Sequence, residues 1–266
     1  MKTEKKLNTC IFTFAACASI IILMVLETYR TEKNTNNLQG HEYKTMSYTA
    51  VNSQVPDLTI VNNIIDKKKI FFKFMRPIIE SENAKVIIKR KTIFSIFNKK
   101  SPNRTDISKA QSIASEYGFE SFDIKNLNER NELISRVDII PVKLALVQSA
   151  NETAWGTSRF AKLGNNMFGQ WSFAIGKGLV PERRDKGATH EVAIFKSIND
   201  SVASYLHNLN TGSSYQRLRQ LRHEMRLQNK QIDPVALAEG LIKYSSMGKK
   251  YVKIIISMIK SNQKYM

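Results

Sequence analysis

Residues 147–171 read VQSANETAWGTSRFAKLGNNMFGQW, and this stretch concentrates most of what the sequence indicates about fold and chemistry. It begins at the end of an apolar segment, residues 141–151, for which we predict a helix. Pro141 suits a first helical turn, and the apolar residues after it repeat at helical spacing. The stretch then continues into a polar turn rich in Gly and Asn. We therefore expect Glu152 at the poorly solvated C-terminal end of an apolar helix.

Glu152 has the sequence context of a general acid. A carboxylate at the C-terminal end of a helix faces the negative pole of the helix dipole, and Trp155, three residues later, can lie one turn away. Both features should raise the pKa of the carboxyl group, and protonation of a glycosidic oxygen requires a raised pKa. Without its neighbours, such a glutamate is more often part of a surface salt bridge.

The rest of the main domain shows mostly helical patterns. Capping residues and apolar periodicity predict further helices at residues 106–117, from 199 onward, from 233 to about 248, and over 250–260. Between Phe168 and Phe195 the pattern changes, because Gly and Pro interrupt it. Residues 170–174 and 191–195 are predicted to pair there as one β-hairpin. The predicted fold class is mainly α (α+β), a helical domain with a small β-hairpin lobe.

The N-terminus predicts where the protein is located. Residues 1–9 are basic, and residues 10–26 contain no charged side chain. This run approaches the length of about 20 residues that crosses a bilayer, and its basic flank should stay in the cytoplasm. We expect a single-pass inner-membrane anchor with a periplasmic domain, or a periplasmic protein if the segment is a cleaved signal. Residues 27–57 are predicted to be a polar linker, and residues 58–266 the main domain.

Composition limits the partners and the chemistry. The formal charge of +18 attracts polyanions, but binding to nucleic acid would conflict with export. The two cysteines, Cys10 and Cys17, lie in the uncharged N-terminal run, so the main domain has no disulfide and no thiol chemistry. No cluster of His or Cys has the spacing of a zinc site. We expect a monomer with no metal and no organic cofactor.

Residues 58–105 are predicted to be a basic helical extension of the main domain. Residues 67–100 carry 11 Lys and Arg against Glu80 and Glu82, with Phe and Ile interspersed near helical spacing. The favoured interpretation is two amphipathic helices with a solvated basic face. The functional alternative is an electrostatic contact with an anionic wall or lipid surface.

Two stretches of the sequence resemble the signature of the bacterial glucosaminidases of glycoside hydrolase family 73. They agree with it at several separate positions that hold unlike residue types. The family pattern contains E-[ST]-x-W-G-x-S followed by N-N-x-F-G. Here residues 152–158 read ETAWGTS and residues 165–169 read NNMFG. The chain is particularly similar to the Bax subfamily of Gram-negative bacteria, which is unrelated to the apoptosis regulator of that name. That similarity extends over about residues 69–251.

The resemblance implies a lysozyme-like, mainly helical fold with a small β-lobe over a sugar cleft. It places the catalytic acid at Glu152. It also implies hydrolysis of the β-1,4 bond between N-acetylglucosamine and N-acetylmuramic acid in the glycan strands of peptidoglycan. The second catalytic carboxylate would be Glu191 or Glu182, of which we prefer Glu191; otherwise the N-acetyl group of the substrate would assist. The alternative function is a catalytically inactive wall-binding protein of the same fold.

The same motifs suggest residues that bind the glycan. Phe168 or Trp171 could stack on a sugar ring, whereas Asn165 and Asn166 are expected to be mostly structural, with sugar binding as the alternative. The C-terminal segment resembles a tyrosine motif of the family, so that Tyr244 or Tyr251 would hold the sugar or orient water, unless either is simply a buried aromatic residue. The candidate substrate-binding residues are Trp155, Asn165, Asn166, Phe168, Trp171, Tyr244 and Tyr251.

Overall fold

The longest element of the structure is helix α1 (Ile64–Phe97), which runs through the hydrophobic core. The computed structural model describes residues 54–172, 176, 178–180 and 191–266. The predicted anchor or signal, residues 10–26, and the candidate carboxylate Glu182 therefore lie outside the described residues. Within the described ranges, no helix is both long enough and apolar enough to cross a membrane.

Helix α1 is continuous, so the prediction of two amphipathic helices over residues 67–100 is wrong. Asn63 caps its N-terminus by accepting hydrogen bonds from the backbone amides of Ile65 and Asp66. Pro77 lies inside the helix on its exposed side. A proline inside a helix costs about 3 kcal/mol. The buried apolar residues of α1 offset this cost, because each contributes about 1.5–3 kcal/mol.

Helix α1, which forms most of the predicted basic helical extension over residues 58–105, contributes buried residues to the core. The largest side chains that it buries almost completely are Phe71, Phe72, Met75, Ile79 and Ile93. Its lysines and arginines remain at least partly exposed. The many basic residues make this segment look solvent-exposed in the sequence, although one face of the helix is buried in the core.

The remaining helices are short or of medium length. They are α2 (Arg104–Glu116), α3 (Leu127–Arg136), α4 (Val142–Glu152), α5 (Arg159–Gly164), α6 (Ile198–Thr211), α7 (Gln216–Leu227), α8 (Pro234–Ala238) and α9 (Lys249–Asn262). Turns of 3-10 helix occur at Ser213–Tyr215, Glu239–Leu241 and Gln263–Tyr265. Residues 54–226 and 231–266 belong to one compact unit, while Leu227–Lys230, between α7 and α8, fall outside it.

Most of the predicted helices are confirmed within a few residues, as α2, α4, α6 and α9. The prediction of one helix from 233 to about 248 is wrong. Asp233 does cap the N-terminus of α8, but α8 ends at Ala238, and turns follow Glu239–Leu241. There the chain passes very close to α7, since a side chain at Gly240 would stand only 2.4 Å from the Cα of Leu218. Contact with α7 therefore shapes this segment.

Helix α4 is the buried centre of the domain. It packs against α1 on one side and against α8 and α9 on another. All residues of α4 from Leu144 to Ala150 are fully buried. A helix enclosed on all sides can expose its residues only at its ends, and Glu152 is its last residue. The packing of α4 in the core therefore places the carboxylate of Glu152 at the partly exposed end of the helix.

Three short strands form a small sheet beside α5. They are β1 (Trp171–Ser172), β2 (Gly178–Leu179) and β3 (Glu191–Ala193), in the order β1-β3-β2 with antiparallel pairing. The predicted pairing of 170–174 with 191–195 is confirmed, with Trp171 opposite Val192. The strand β2 was not predicted from the sequence. A mainly helical domain with a small sheet fits the predicted mainly α (α+β) class.

A buried ionic cluster connects α1, α7 and the segment between α3 and α4. Asp138 is almost completely buried and accepts two hydrogen bonds from Arg226, at 3.0 and 2.9 Å. Arg90 and Arg222 lie 3.6 and 4.0 Å from the same carboxylate. The three guanidinium groups hold the pKa of Asp138 well below its usual value, although burial opposes them.

Candidate active site

The end of helix α4 sets the position of Glu152. Thr153 closes the helix by donating its backbone N–H, at 3.1 Å, and its hydroxyl, at 2.6 Å, to the carbonyl of Ser149. Ala154 and Trp155 then adopt positive φ values of 48° and 62°, so the chain leaves the helical path. The prediction that Trp155 lies one helical turn beyond Glu152 is therefore wrong.

Trp155 packs against helix α1. Its ring meets Phe71 and Phe72 edge to face, with centroids 5.9 and 5.3 Å away, and the ammonium of Lys68 lies 5.1 Å from the ring centroid. These contacts fix the loop that follows α4. They give Trp155 a packing role, where the sequence had suggested contact with a sugar.

The carboxylate of Glu152 is partly buried and accepts two hydrogen bonds at the same oxygen. Tyr251, in α9, donates its hydroxyl to Oε1 at 2.9 Å, and Asn151 donates its amide Nδ2 to Oε1 at 3.2 Å. Burial raises the pKa of Glu152, and these two hydrogen bonds lower it by less. The net pKa is raised, in the direction predicted from the sequence.

A chain of buried polar groups supports Tyr251 from behind. Gln148, which is fully buried in α4, donates its Nε2 to the hydroxyl oxygen of Tyr251 at 3.1 Å. Its Oε1 accepts the hydroxyl of Tyr205, in α6, at 2.7 Å. Burial raises the pKa values of Tyr205 and Tyr251, so both phenols remain protonated donors. Helices α4, α6 and α9 are thus connected through this chain to Glu152.

Aromatic stacking holds the same tyrosines in place. The ring of Phe168 stacks on Tyr205 with centroids 3.8 Å apart, and Tyr244 stacks on Tyr251 with centroids 5.3 Å apart. The hydroxyl of Tyr244 donates to the backbone carbonyl of Phe168 at 3.0 Å. The ring of Phe168 is 2% exposed, so its predicted stacking on a sugar is wrong. Of the two candidate tyrosines, Tyr251 hydrogen-bonds to Glu152, and Tyr244 stacks on Tyr251.

The two asparagines of the NNMFG turn have structural roles. Asn165 adopts a left-handed conformation at the end of α5 and donates its Nδ2 to the carbonyl of Phe195 at 3.0 Å. Asn166 is buried; its Nδ2 donates to the carbonyls of Gln170 and Ala193, and its Oδ1 accepts the backbone amides of Phe168 and Gln170. The favoured structural interpretation of both residues agrees with these contacts.

Gly169 brings this turn close to the second oxygen of Glu152. Its φ is +64°, and a Cβ built on it would stand 3.3 Å from Oε2 of Glu152. The absence of a side chain therefore leaves space beside Oε2. Next in the chain, the buried Oε1 of Gln170 has no hydrogen-bond partner among the residues that the structure describes. A buried acceptor without a partner is uncommon and often marks a place where a ligand or water donates.

Trp171 and Glu191 lie on the paired strands β1 and β3, where Trp171 is opposite Val192 and Glu191 is opposite Ser172. The side chain of Trp171 is 54% exposed, as expected for an aromatic surface that stacks on a sugar. The carboxylate of Glu191 is buried and accepts the backbone amides of Gly176 and Gly178, at 2.9 and 2.8 Å. Glu191 thus holds the connection into β2.

The sequence reasoning missed Gln148, Tyr205 and Gly169 as parts of the site. Gln148 carried a signal, because a glutamine on the apolar face of a helix must find buried partners. Tyr205 could not be found in this way, since an aromatic residue at helical spacing equally well packs in a core. Gly169 was noted within the motif, but its approach to Glu152 depends on the tertiary fold.

The part of the chain that contains Glu152 and Tyr251 matches a known protein family. Residues 128–264, just over half of the chain, match the family described as mannosyl-glycoprotein endo-beta-N-acetylglucosaminidase. The chain belongs to this glucosaminidase family, which at the family level makes it a glycosidase-type enzyme. It is also 29% identical to Protein bax of Escherichia coli (strain K12) over 216 residues, which cover 81% of this chain and 77% of that protein. No solved structure matches the chain. The family resemblance predicted from the signature is therefore confirmed.

Proposed function

We propose that the protein hydrolyses the β-1,4 bond between N-acetylglucosamine and N-acetylmuramic acid in peptidoglycan, with Glu152 as the general acid. The observation that carries this proposal is the setting of Glu152 at the end of a fully buried helix. Its pKa is raised, Tyr251 donates a hydrogen bond to one of its carboxylate oxygens, and Gly169 leaves space beside the other oxygen. A carboxyl group that stays protonated can donate its proton to the glycosidic oxygen as the bond breaks.

Neighbouring groups suit a sugar substrate. The exposed ring of Trp171 offers a surface on which a pyranose can stack. The Oε1 of Gln170, which is buried and has no partner within the described part of the chain, can accept a hydrogen bond from a sugar hydroxyl or from an N-acetyl N–H. Gln170 follows Gly169 directly, and Gly169 is the residue that lies beside Oε2 of the proposed acid.

The second catalytic group is proposed to be Glu182 or the N-acetyl group of the substrate. Glu191 was the preferred candidate in the sequence, but each of its carboxylate oxygens accepts a hydrogen bond from a backbone amide. Activation of water by Glu191 would have to compete with these bonds. Participation of the N-acetyl group requires no second carboxylate beside Glu152.

The location follows from the substrate. If residues 10–26 act as an inner-membrane anchor or a signal, the domain from residue 58 onward faces the periplasm, where peptidoglycan lies. Fusion of a periplasm-dependent reporter after residue 57 tests this proposal. Activity of the reporter supports export, and inactivity would contradict it.

Digestion of purified sacculi tests the proposed reaction. Mass spectrometry of the soluble products should show new reducing ends on N-acetylglucosamine. Glu152→Gln should lower the rate by at least about 100-fold, because general acid catalysis contributes about 10²–10⁴. Glu239→Gln, an exposed glutamate just after α8, is the matched control and should retain activity. Full activity of Glu152→Gln, or new reducing ends on N-acetylmuramic acid, would contradict the proposal.

A wall-binding protein without turnover is the second candidate function. The two backbone hydrogen bonds to Glu191 favour it, because they engage the carboxylate that was preferred from the sequence as the second catalytic group. This alternative predicts that the wild-type protein sediments with sacculi but releases no soluble fragments. Release of fragments that depends on Glu152 would eliminate it.

A further inference from the structure

The direction of the hydrogen bonds behind Glu152 follows from the donors available. A tyrosine hydroxyl has one proton, and the Nε2 of a glutamine is only a donor. Since Gln148 donates to the hydroxyl oxygen of Tyr251, the single proton of Tyr251 is free to point at Oε1 of Glu152. The amide of Gln148 therefore decides where the proton of Tyr251 points.

Tyr205 in turn orients the amide of Gln148. The hydroxyl of Tyr205 donates to Oε1 of Gln148 at 2.7 Å, and its ring is stacked on Phe168. If the amide rotated by half a turn, Nε2 would face Tyr205 and Oε1 would accept the proton of Tyr251. Tyr251 would then no longer donate to Glu152. A carboxylate at Glu152 favours the observed orientation, because it needs a donor.

The two oxygens of Glu152 therefore have different tasks. Oε1 already accepts two hydrogen bonds, from Tyr251 and Asn151, so a proton on Oε1 would point toward groups that are themselves donors. Oε2 lies beside Gly169, where the missing side chain leaves space for a substrate atom. The acid proton is best placed on Oε2.

We propose that Gln148 is a positioning residue: it orients the hydroxyl of Tyr251 toward Oε1 of Glu152 and thereby holds the catalytic proton on Oε2. This inference rests on the proposed function of Glu152 as an acid. It assigns Gln148 and Tyr205 a role beyond packing. Without Gln148, the hydroxyl oxygen of Tyr251 could accept a proton from Oε1 of Glu152, and the acid proton would move away from the cleft.

The test is a double-mutant cycle between Gln148→Met and Tyr251→Phe in the full-length protein. Methionine has a similar volume to glutamine but no N–H donor. In Gln148→Met, the protonated form of Glu152 gains Tyr251 as an acceptor, so the pKa of Glu152 should rise. The expected rise is roughly half to one unit, the effect of one hydrogen bond. With Tyr251→Phe in the background, Gln148→Met should leave the pKa unchanged.

Two measurements read out the cycle. Carbon-13 NMR titration of the side-chain carboxyl groups reports the pKa of Glu152 in the folded protein, with Glu152→Gln identifying its signal. The pH dependence of kcat on sacculi should show the same upward shift of its alkaline limb. The plateau of kcat should fall by about tenfold or more, with KM little changed, because the proton is on the wrong oxygen.

Ser149→Ala is the matched control, since Ser149 is equally buried in α4 but bonds only within the helix. It should lower stability without moving the pKa of Glu152. An unchanged pKa in Gln148→Met, or an equal shift in the Tyr251→Phe background, would overturn the positioning role. The NMR titration needs no turnover, so a shifted pKa in a protein inactive on sacculi would refute the proposed function and leave the positioning intact.

Discussion

Gly169→Ala is the sharpest perturbation of the candidate site, because it adds a single methyl group at a known distance from the proposed acid. The new Cβ would stand 3.3 Å from Oε2 of Glu152. A glycosidic oxygen must come within about 2.6–3.2 Å of the same atom to receive its proton. The methyl group and the substrate oxygen would therefore compete for one space.

Both a stability cost and a catalytic cost can be estimated. The φ of Gly169 is +64°, and an alanine in the left-handed region costs about 1–2 kcal/mol. A displacement of the reacting atoms by about 1 Å lowers the rate by roughly 100-fold. We expect Gly169→Ala to unfold at slightly lower denaturant concentration and to lose at least about 100-fold in kcat/KM on sacculi.

Gly118→Ala is the control for backbone strain. Gly118 has a φ of +83° in the loop after α2, and its Cβ would meet only the end of the flexible Arg136 side chain, at 3.2 Å. Both variants should lose similar stability in urea denaturation, but only Gly169→Ala should lose activity. If the two variants kept the same activity on sacculi, Oε2 would not be the oxygen that delivers the proton.

Three further predictions concern charge and ligand contact. Because the pKa of Glu152 is raised by folding, its stabilising protonation is complete below the unfolded value near 4.5 and is lost as the pH rises through the folded value. The free energy of unfolding of Glu152→Gln, relative to that of the wild type, should therefore increase as the pH rises from 4 to 8 in urea denaturation. A stability difference that stays constant over this range would show that burial does not raise this pKa. Asp138→Asn should cost about 3–5 kcal/mol at neutral pH, because it leaves three buried or partly buried arginines without a counter-charge. The contribution of Asp138 is present above the unfolded pKa near 3.8 and is lost as the pH falls through its lowered folded value, so the cost of the substitution should shrink in acid; a loss below 1 kcal/mol at pH 7 would be incompatible with this cluster. Trp171→Ala should raise KM on sacculi with little loss of stability, whereas Trp155→Ala should mainly destabilise the fold, and the reverse pattern would exchange their assigned roles.

Helix boundaries and the proposed acid were predictable because the signals for them are local. The helix before Glu152 and the helix at α9 were located by apolar spacing and flanking residues alone. The β1–β3 pairing was also found, since Gly and Pro isolate these short segments from the helices. The strand β2 was not, because two residues carry no periodicity.

The errors arise where long-range contacts override local patterns. The 34-residue helix α1 was divided into two in the prediction, although its buried residues extend from Phe71 to Phe97 along one helix. Trp155 was placed beside Glu152 by helical counting, whereas the positive φ values after α4 turn its ring onto Phe71 and Phe72. The ring of Phe168 was predicted to stack on a sugar, but it stacks on Tyr205 in the core.

The sequence by itself determined the family and the mainly helical class, and it singled out Glu152 as the proposed acid, because these inferences depend on residue types at short, fixed spacings. The tertiary structure alone decided which groups surround that carboxylate. Tyr251 and Tyr205 are separated from Glu152 by 99 and 53 positions in the chain, yet Tyr251 hydrogen-bonds to Glu152 directly and Tyr205 is linked to Tyr251 through the buried amide of Gln148. Such contacts are established by the packing of α4, α6 and α9 around one core, and no local pattern encodes the direction of a hydrogen bond between them.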